Sequence, residues 1–309
     1  LAIPLLLFSS NFLKWSKYAK SGLFSFLLGV FSVIVSSIIA FIVFKNQISD
    51  PWKISGMMIG VYTGGTPNMS AIGIALDVEE EIFILLNSAD IVFSGVYFVF
   101  LLTIAKRVFQ FFLPKFNNIN HNEEEQQKID IDTKIQKIDR LSIFLSIILA
   151  LFILGISVLI SILLVGRMSA QIIILGITTL GILASFSSRV QNFTYTYQSA
   201  EYLLMIFALS MGAMADFSEL LAASSLVFYY CGFVVLVSVL THLLLAFLFR
   251  LDTDTVIITS TAAIFGPAFI GPVANAIRNE KIIALGIIMG LVGYAIGNYL
   301  GLAVAWLLK

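Results

Sequence analysis

The chain has 309 residues, 59% of them hydrophobic and 12% charged, with a formal net charge of +0 and a mean hydropathy of +1.00. No basic face suggests nucleic acid, and the single Cys231 sits in an apolar run with no disulfide partner, so redox chemistry is not indicated. Apolar runs far longer than a soluble core helix needs, without the alternating strands of an outer-membrane barrel, give an all-α polytopic membrane protein.

A crossing helix needs about 20 apolar residues. The candidate segments in chain order are 1–13, 21–44, 53–80, 83–113, 141–165, 169–187, 199–215, 222–249, 253–279 and 282–308. Leu1 opens inside an apolar stretch without a methionine, so further helices are expected ahead of it; no signal-peptide pattern is visible. Lys14, Lys17 and Lys20 mark the first loop and Lys45 and Lys53 the next. The linker flanks, with Lys106, Arg107 and Arg140, are read on the latter's side and as cytoplasmic, in a plasma (inner) membrane.

Segment 53–80 contains Thr63-Gly64-Gly65-Thr66-Pro67-Asn68-Met69-Ser70 near its middle. Gly64, Gly65 and Pro67 disfavour a continuous helix, and in lipid the freed backbone groups persist only inside protein or along a wet cavity. The segment is therefore read as a discontinuous crossing helix whose break frames a binding site. Each half-helix, at about 1.5 Å per residue, covers roughly 15 Å, so carbonyl ends and N–H ends meet near the midplane. Thr63, Thr66, Asn68 and Ser70 add oxygen ligands that suit a hard monovalent cation, and helix capping is the competing reading of the same residues.

Asp90 lies about two turns into segment 83–113 and is followed by an apolar run to Ala105. An ionisable group at such depth is functional by default, here binding sodium or carrying a proton, against the plainer reading of a local bond to Asn87 or Ser88. The polar stretch Pro114 to Arg140 is the natural linker between a first repeat, 1–113, and a second, 141–309. Within it Ile131, Ile135 and Ile138 recur at helical spacing, which suits a short surface helix as well as a solvated loop. Glu201 is read as a helix cap, and neither His121 nor His242 has a ligand-spaced partner.

Segment 253–279 holds the second break, Phe265-Gly266-Pro267-Ala268-Phe269-Ile270-Gly271-Pro272-Val273-Ala274-Asn275. Gly266, Pro267, Gly271 and Pro272 interrupt the helix there, with Thr259, Ser260, Thr261 and Asn275 as neighbouring oxygen ligands. In the last segment Gly286, Gly290, Gly293, Gly297 and Gly301 fall on one helix face. That stripe admits close packing, expected against the second broken helix, with Asn298 beside it as a polar contact to the site.

One frame of 205 residues aligns Pro67 with Pro272, Asn11 with Asp216, Phe12 with Phe217, Ser36 with Thr241, Phe44 with Phe249, Ala71 with Ala276 and Ile72 with Ile277. The repeats are expected to be inverted. Counting every segment gives an even number of steps between the breaks, so one segment must not span, 169–187 and 199–215 being the shortest candidates; parallel repeats are the open alternative.

TGGTPNMSAIG in the first half, and GPAFIGPVANAI followed by GYAIGNYLG in the second, resemble the bacterial membrane family filed as domain of unknown function 819 over nearly the whole chain. More distantly, Leu204-Met205-Ile206-Phe207 through Met211-Gly212 and Asp216-Phe217 look like bile-acid:sodium symporter relatives. That resemblance implies a core domain of crossed, discontinuous helices moving against a panel or scaffold domain, and an organic anion coupled to sodium. It also implies cation or substrate ligands at Asn68, Ser70 and Asn275. The second break lacks the glutamate frequent in sodium-coupled relatives, so Asp90 would supply the charge, giving a sodium site at Asn68, Ser70 and Asp90.

The sequence thus points to a secondary active transporter, not an enzyme, moving a small organic anion or amphoteric metabolite with sodium or protons. A passive channel or facilitator and a membrane-embedded sensor or assembly subunit are the alternatives. Expected partners are a small-molecule substrate and the lipid bilayer, with a homodimer left open and no nucleic acid. No cofactor is expected beyond sodium as a coupling ion.

Overall fold

The structure is a computed structural model that describes residues 1–8, 20–116, 140–200, 202–203, 205–206 and 225–309. Most of the linker with His121, Ile131, Ile135 and Ile138, the positions Asn11, Phe12, Lys14, Lys17, Glu201, Asp216 and Phe217, and most of segment 199–215 lie outside these residues. The described helices are α1 (Ala2–Phe8), α2 (Lys20–Phe44), α3 (Pro51–Gly64), α4 (Thr66–Ala75), α5 (Glu80–Thr103), α6 (Ala105–Phe109), α7 (Arg140–Val165), α8 (Ala170–Ser185), α9 (Ser188–Gln191), α10 (Ser225–Leu248), α11 (Thr253–Phe265), α12 (Ile270–Ala276) and α13 (Ile283–Leu308). Five stretches among them, Ser21–Phe44, Glu80–Thr103, Arg140–Val165, Leu226–Leu248 and Glu280–Leu308, are long and apolar enough to cross a membrane. The chain is a multi-pass membrane protein.

Two breaks turn the chain back on itself. The Lys53 ammonium donates to the Asp77 carbonyl at 3.1 Å, Gly56 faces Leu76, and Gly60 faces Ile72. Residues 53 and 77 would lie roughly 36 Å apart if α3 and α4 continued in one direction. They are neighbours, so α3 and α4 form an antiparallel hairpin, hairpin 1, with Gly65 at its tip. Asp254 and Asn279 likewise meet at 2.9 Å across the open end of α11 and α12, making hairpin 2 with its tip at Gly266. This corrects the expectation of discontinuous crossing helices. Glycine and proline announce a break, but the bend angle is set by which neighbours the second arm packs on.

The hairpins point in opposite directions along α13. Gly56 packs on Gly301 and Ala305, Asn68 on Gly297 and Gly64 on Gly293, so hairpin 1 enters from the C-terminal end of α13. Ile258 and Ile270 pack on Gly286 and Pro267 on Gly290, so hairpin 2 enters from the N-terminal end. The stripe expected to serve the second broken helix therefore carries both hairpins. α5 also passes both, with Phe83 beside Gly73, Tyr97 bonded to Ser260, and the following Lys106 bonded to Asp254. Lys106 and Arg107 consequently lie at the opposite end from Lys45 and Lys53, not on the same side as expected, because a hairpin returns the chain where a crossing would carry it over.

The landmarks of the two hairpins recur at 201 residues, not 205. Gly65 and Gly266, and Asp77 and Arg278, are both 201 apart and share positive φ (76° and 72°, 51° and 57°). Val78 N–H to Gly73 O and Asn279 N–H to Ala274 O close the arms with the same backbone bond. The 205 frame aligned prolines that sit differently: Pro67 starts α4, whereas Pro272 falls within α12, after the helix has resumed. Gly271 and Pro272 are thus not where the chain turns.

Two apolar clusters pack the bundle. The larger joins α2 to α6 and α10 to α13 with Ile174 of α8, and the smaller joins α1, α7 and the later turns of α8 to Leu291, Tyr294 and Ala295 of α13. Both outer arms, α3 and α11, are buried almost throughout, whereas α7 exposes Leu141, Phe144, Phe152 and Leu163. Exposed apolar side chains of this kind suit contact with lipid.

Candidate functional site

The hairpin tips converge on the middle of α13. Gly65 (φ 76°, ψ −176°) and Gly266 (φ 72°, ψ −172°) adopt an extended left-handed conformation essentially restricted to glycine. A Cβ at Gly266 would lie 2.7 Å from the Tyr294 hydroxyl, and one at Gly65 would lie 3.9 Å from the same ring, so Tyr294 stands against both tips. A Cβ at Gly64 would meet the Gly293 carbonyl at 2.5 Å, and one at Gly293 would collide with the Thr63 carbonyl. The Asn68 amide donates to Gly293 O at 3.3 Å and Tyr294 O at 3.4 Å, fixing α4 to α13. Thr63 Oγ1 and Asn298 Oδ1 are buried without a hydrogen-bond partner among the described protein atoms. The Asn298 amide donates to Thr178 on α8 at 3.1 Å.

A second polar cluster lies beside hairpin 1. Asp90 on α5 is 6% exposed and accepts from the Tyr62 hydroxyl at 2.5 Å; that hydroxyl also lies 3.7 Å from Cys231 Sγ on α10. Tyr62 departs from helical geometry (φ −92°, ψ 15°), so α3 kinks two residues before its end. On hairpin 2, Ser260 meets the Tyr97 hydroxyl at 2.7 Å. Thr259 meets Ser25 at 2.7 Å, and Ser25 lies 3.5 Å from His242 Nε2.

The expected ligands do not assemble into one site. Asn68 bonds α13, Asp90 bonds Tyr62, and Ser70 bonds its own helix at Thr66 O (2.9 Å). Thr261 also back-bonds, to Ile257 O at 2.8 Å, and Thr66 is exposed at the tip. Asn275 lies at the other end of hairpin 2, lining an open cavity of about 840 Å³ with Lys106, Arg278, Asn279 and Lys281. At its wall Lys106 Nζ donates to Asp254 Oδ2 at 3.1 Å and to Ile277 O at 2.6 Å.

The family model described as protein of unknown function (DUF819) matches residues 1–309. The chain belongs to that family. It is 26% identical over 313 residues to a Bacillus subtilis (strain 168) protein named uncharacterized membrane protein YjcL, covering 97% of this chain and 79% of the relative. No solved structure matches. Within this DUF819 chain, the residues absent from the sequence reading are Tyr62, Tyr97, Tyr294 and Ser25, the last lying beside His242. Tyr62 and Tyr294 did carry a signal, since one stands just before the first break and the other lies inside the glycine stripe.

Proposed function

We propose that this chain is a secondary active transporter of the plasma membrane, moving a small organic anion or amphoteric metabolite by alternating access with sodium or protons. The observation that carries the reading is the meeting of two oppositely directed hairpins, tip to tip, at the middle of one helix. Two half-sites related by inversion, each opening toward one side, are what alternating access requires. The 201-residue recurrence of backbone landmarks supports an inverted repeat, with the hairpins standing where crossing helices were expected. The larger apolar cluster, with both hairpins, is read as the core domain and the smaller, with α1, α7 and α8, as the scaffold.

The start of α4 at the tip of hairpin 1 favours a negative substrate group, and the Thr63 hydroxyl and Tyr294 ring supply polar and aromatic contact. Lys106, Arg107, Lys115, Arg250, Arg278 and Lys281 cluster at the open end of hairpin 2, supporting a cytoplasmic position for that end and for the linker.

The test is uptake by proteoliposomes containing the purified protein. Labelled small carboxylates and amino acids are offered under an imposed sodium or proton gradient. Expected is accumulation above the external concentration that collapses when the gradient is dissipated. Uptake that only equilibrates, whatever the gradient, would make the protein a facilitator and sink the reading.

A further inference from the structure

A cavity of about 20 Å³ lies in the larger cluster, lined by Tyr62, Ser238, His242 and Ser260 together with apolar side chains. That volume suits about one water, and buried waters persist where two to four polar partners converge. Tyr62 is the residue that donates to Asp90, and His242 is the residue next to Ser25. The cavity is therefore lined by His242 and by the tyrosine that donates to Asp90, with Asp90 one hydrogen bond beyond its wall.

We propose that Asp90, Tyr62, one cavity water and His242 form a proton relay. This rests on the transporter reading and names its coupling ion as the proton. In the step, the Tyr62 O–H breaks as its proton passes to the Asp90 carboxylate along the bond it already makes; a water proton passes to the Tyr62 oxygen, and an imidazolium N–H of His242 breaks to restore the water. One proton moves, Asp90 ends as carboxylic acid and His242 as neutral imidazole, and Tyr62 and the water are restored. The oxygens around Asp90 argue for a proton over sodium, because a hard cation gathers several oxygen ligands. Here Asp90 is held by a phenol beside a thiol, while Asn68 and Ser70 are bonded elsewhere.

The titratable groups facing Asp90 are Tyr62 from hairpin 1 and Cys231 from α10. His242 faces Tyr62 across the cavity and Tyr97 of α5 through Ser260, while α2 and α11 offer hydroxyls, Ser25 and Thr259. The ion pairs among the described residues, Lys53–Asp50 and Lys106–Asp254, involve neither Asp90 nor His242. Because Tyr62 belongs to hairpin 1 and Ser260 to hairpin 2, movement of either hairpin would open or close the relay.

The test is infrared difference spectroscopy of the full protein in nanodiscs, stepped in pH, in sodium chloride and in choline chloride at equal ionic strength. Expected is a buried carboxylic-acid carbonyl band that titrates, is lost in Asp90→Asn and is retained at a shifted frequency in Asp90→Glu. Tyr62→Phe and His242→Gln should each move its midpoint by about one pH unit, and the double variant by no more than the larger single shift, as coupled sites do. A band indifferent to Asp90→Asn, a midpoint moved by sodium, or one unmoved by His242→Gln would overturn the relay. If Asp90→Asn does not fold, loss of the frequency shift in Asp90→Glu decides the same point. A titrating relay without gradient-driven uptake would remove transport and keep the relay; sodium-driven uptake flat in pH would do the reverse.

Discussion

Hairpin 1 and hairpin 2 turn through glycines with nearly the same backbone angles, yet they are held in different ways. Hairpin 1 is fixed along its length, backbone to backbone, with Gly64 and Gly293 in contact and Asn68 bonded across. Its open end is closed by Lys53, which reaches the Asp77 carbonyl at 3.1 Å and pairs at 3.2 Å with Asp50, an exposed carboxylate. Hairpin 2 has its anchor at the open end, where Lys106 and Asn279 both reach the 2% exposed Asp254. Matching backbone angles at the tips therefore do not imply matching anchorage, and the open end held through a buried carboxylate is also the one beside the large open cavity.

The contrast can be broken by substitution. Gly293→Ala should have the largest effect, because its Cβ collides with the Thr63 carbonyl; overpacking of this sort costs about 3 kcal/mol. Thermal unfolding in detergent should show a large fall in midpoint, and Gly271→Ala, at a position with open space, should not. Lys106→Met should come next, at roughly 2–3 kcal/mol, since it leaves a buried carboxylate with only Asn279 as donor. Gly266→Ala should cost more than Gly65→Ala: both incur about 1–3 kcal/mol of backbone strain, but only Gly266 adds a collision with the Tyr294 hydroxyl. Lys53→Met should be the mildest of the destabilising changes, below about 1 kcal/mol, as surface pairs are. Equal falls for Lys53→Met and Lys106→Met would erase the distinction between the two anchors. Thr63→Val should leave stability unchanged or raised, because the hydroxyl it removes has no partner; a fall in midpoint would show that the hydroxyl is bonded.

Much of this was legible in the sequence. Hydropathy announced the long helices, the Gly64-Gly65 and Gly266 breaks fall where helices end, and Asp90 was singled out by depth alone. What escaped was direction and register. A break says that a helix stops, while the return of α4 along α3 depends on Gly60, where a Cβ would meet Ile72, and on Gly56 and Gly73, which let the arms seat against α13 and α5. A 205-residue frame set by proline pairs misses the register, because the positions that recur are the positive-φ ones, which glycine, aspartate and arginine share here. The network of Ser25, His242, Tyr62 and Tyr97 joins helices far apart in sequence, so no local motif reveals it.

The glycine stripe of α13 has a consequence for biogenesis. Asn68 and Gly293 are 225 residues apart, and at roughly 5–20 residues per second the ribosome needs about 10–45 seconds to make the second after the first. Throughout that interval hairpin 1, with the unpartnered donors and acceptors of its tip, is already in the membrane without the helix that covers it. A chain stalled before residue 283 should therefore present hairpin 1 to insertion chaperones and membrane proteases, and protection should arrive only with α13.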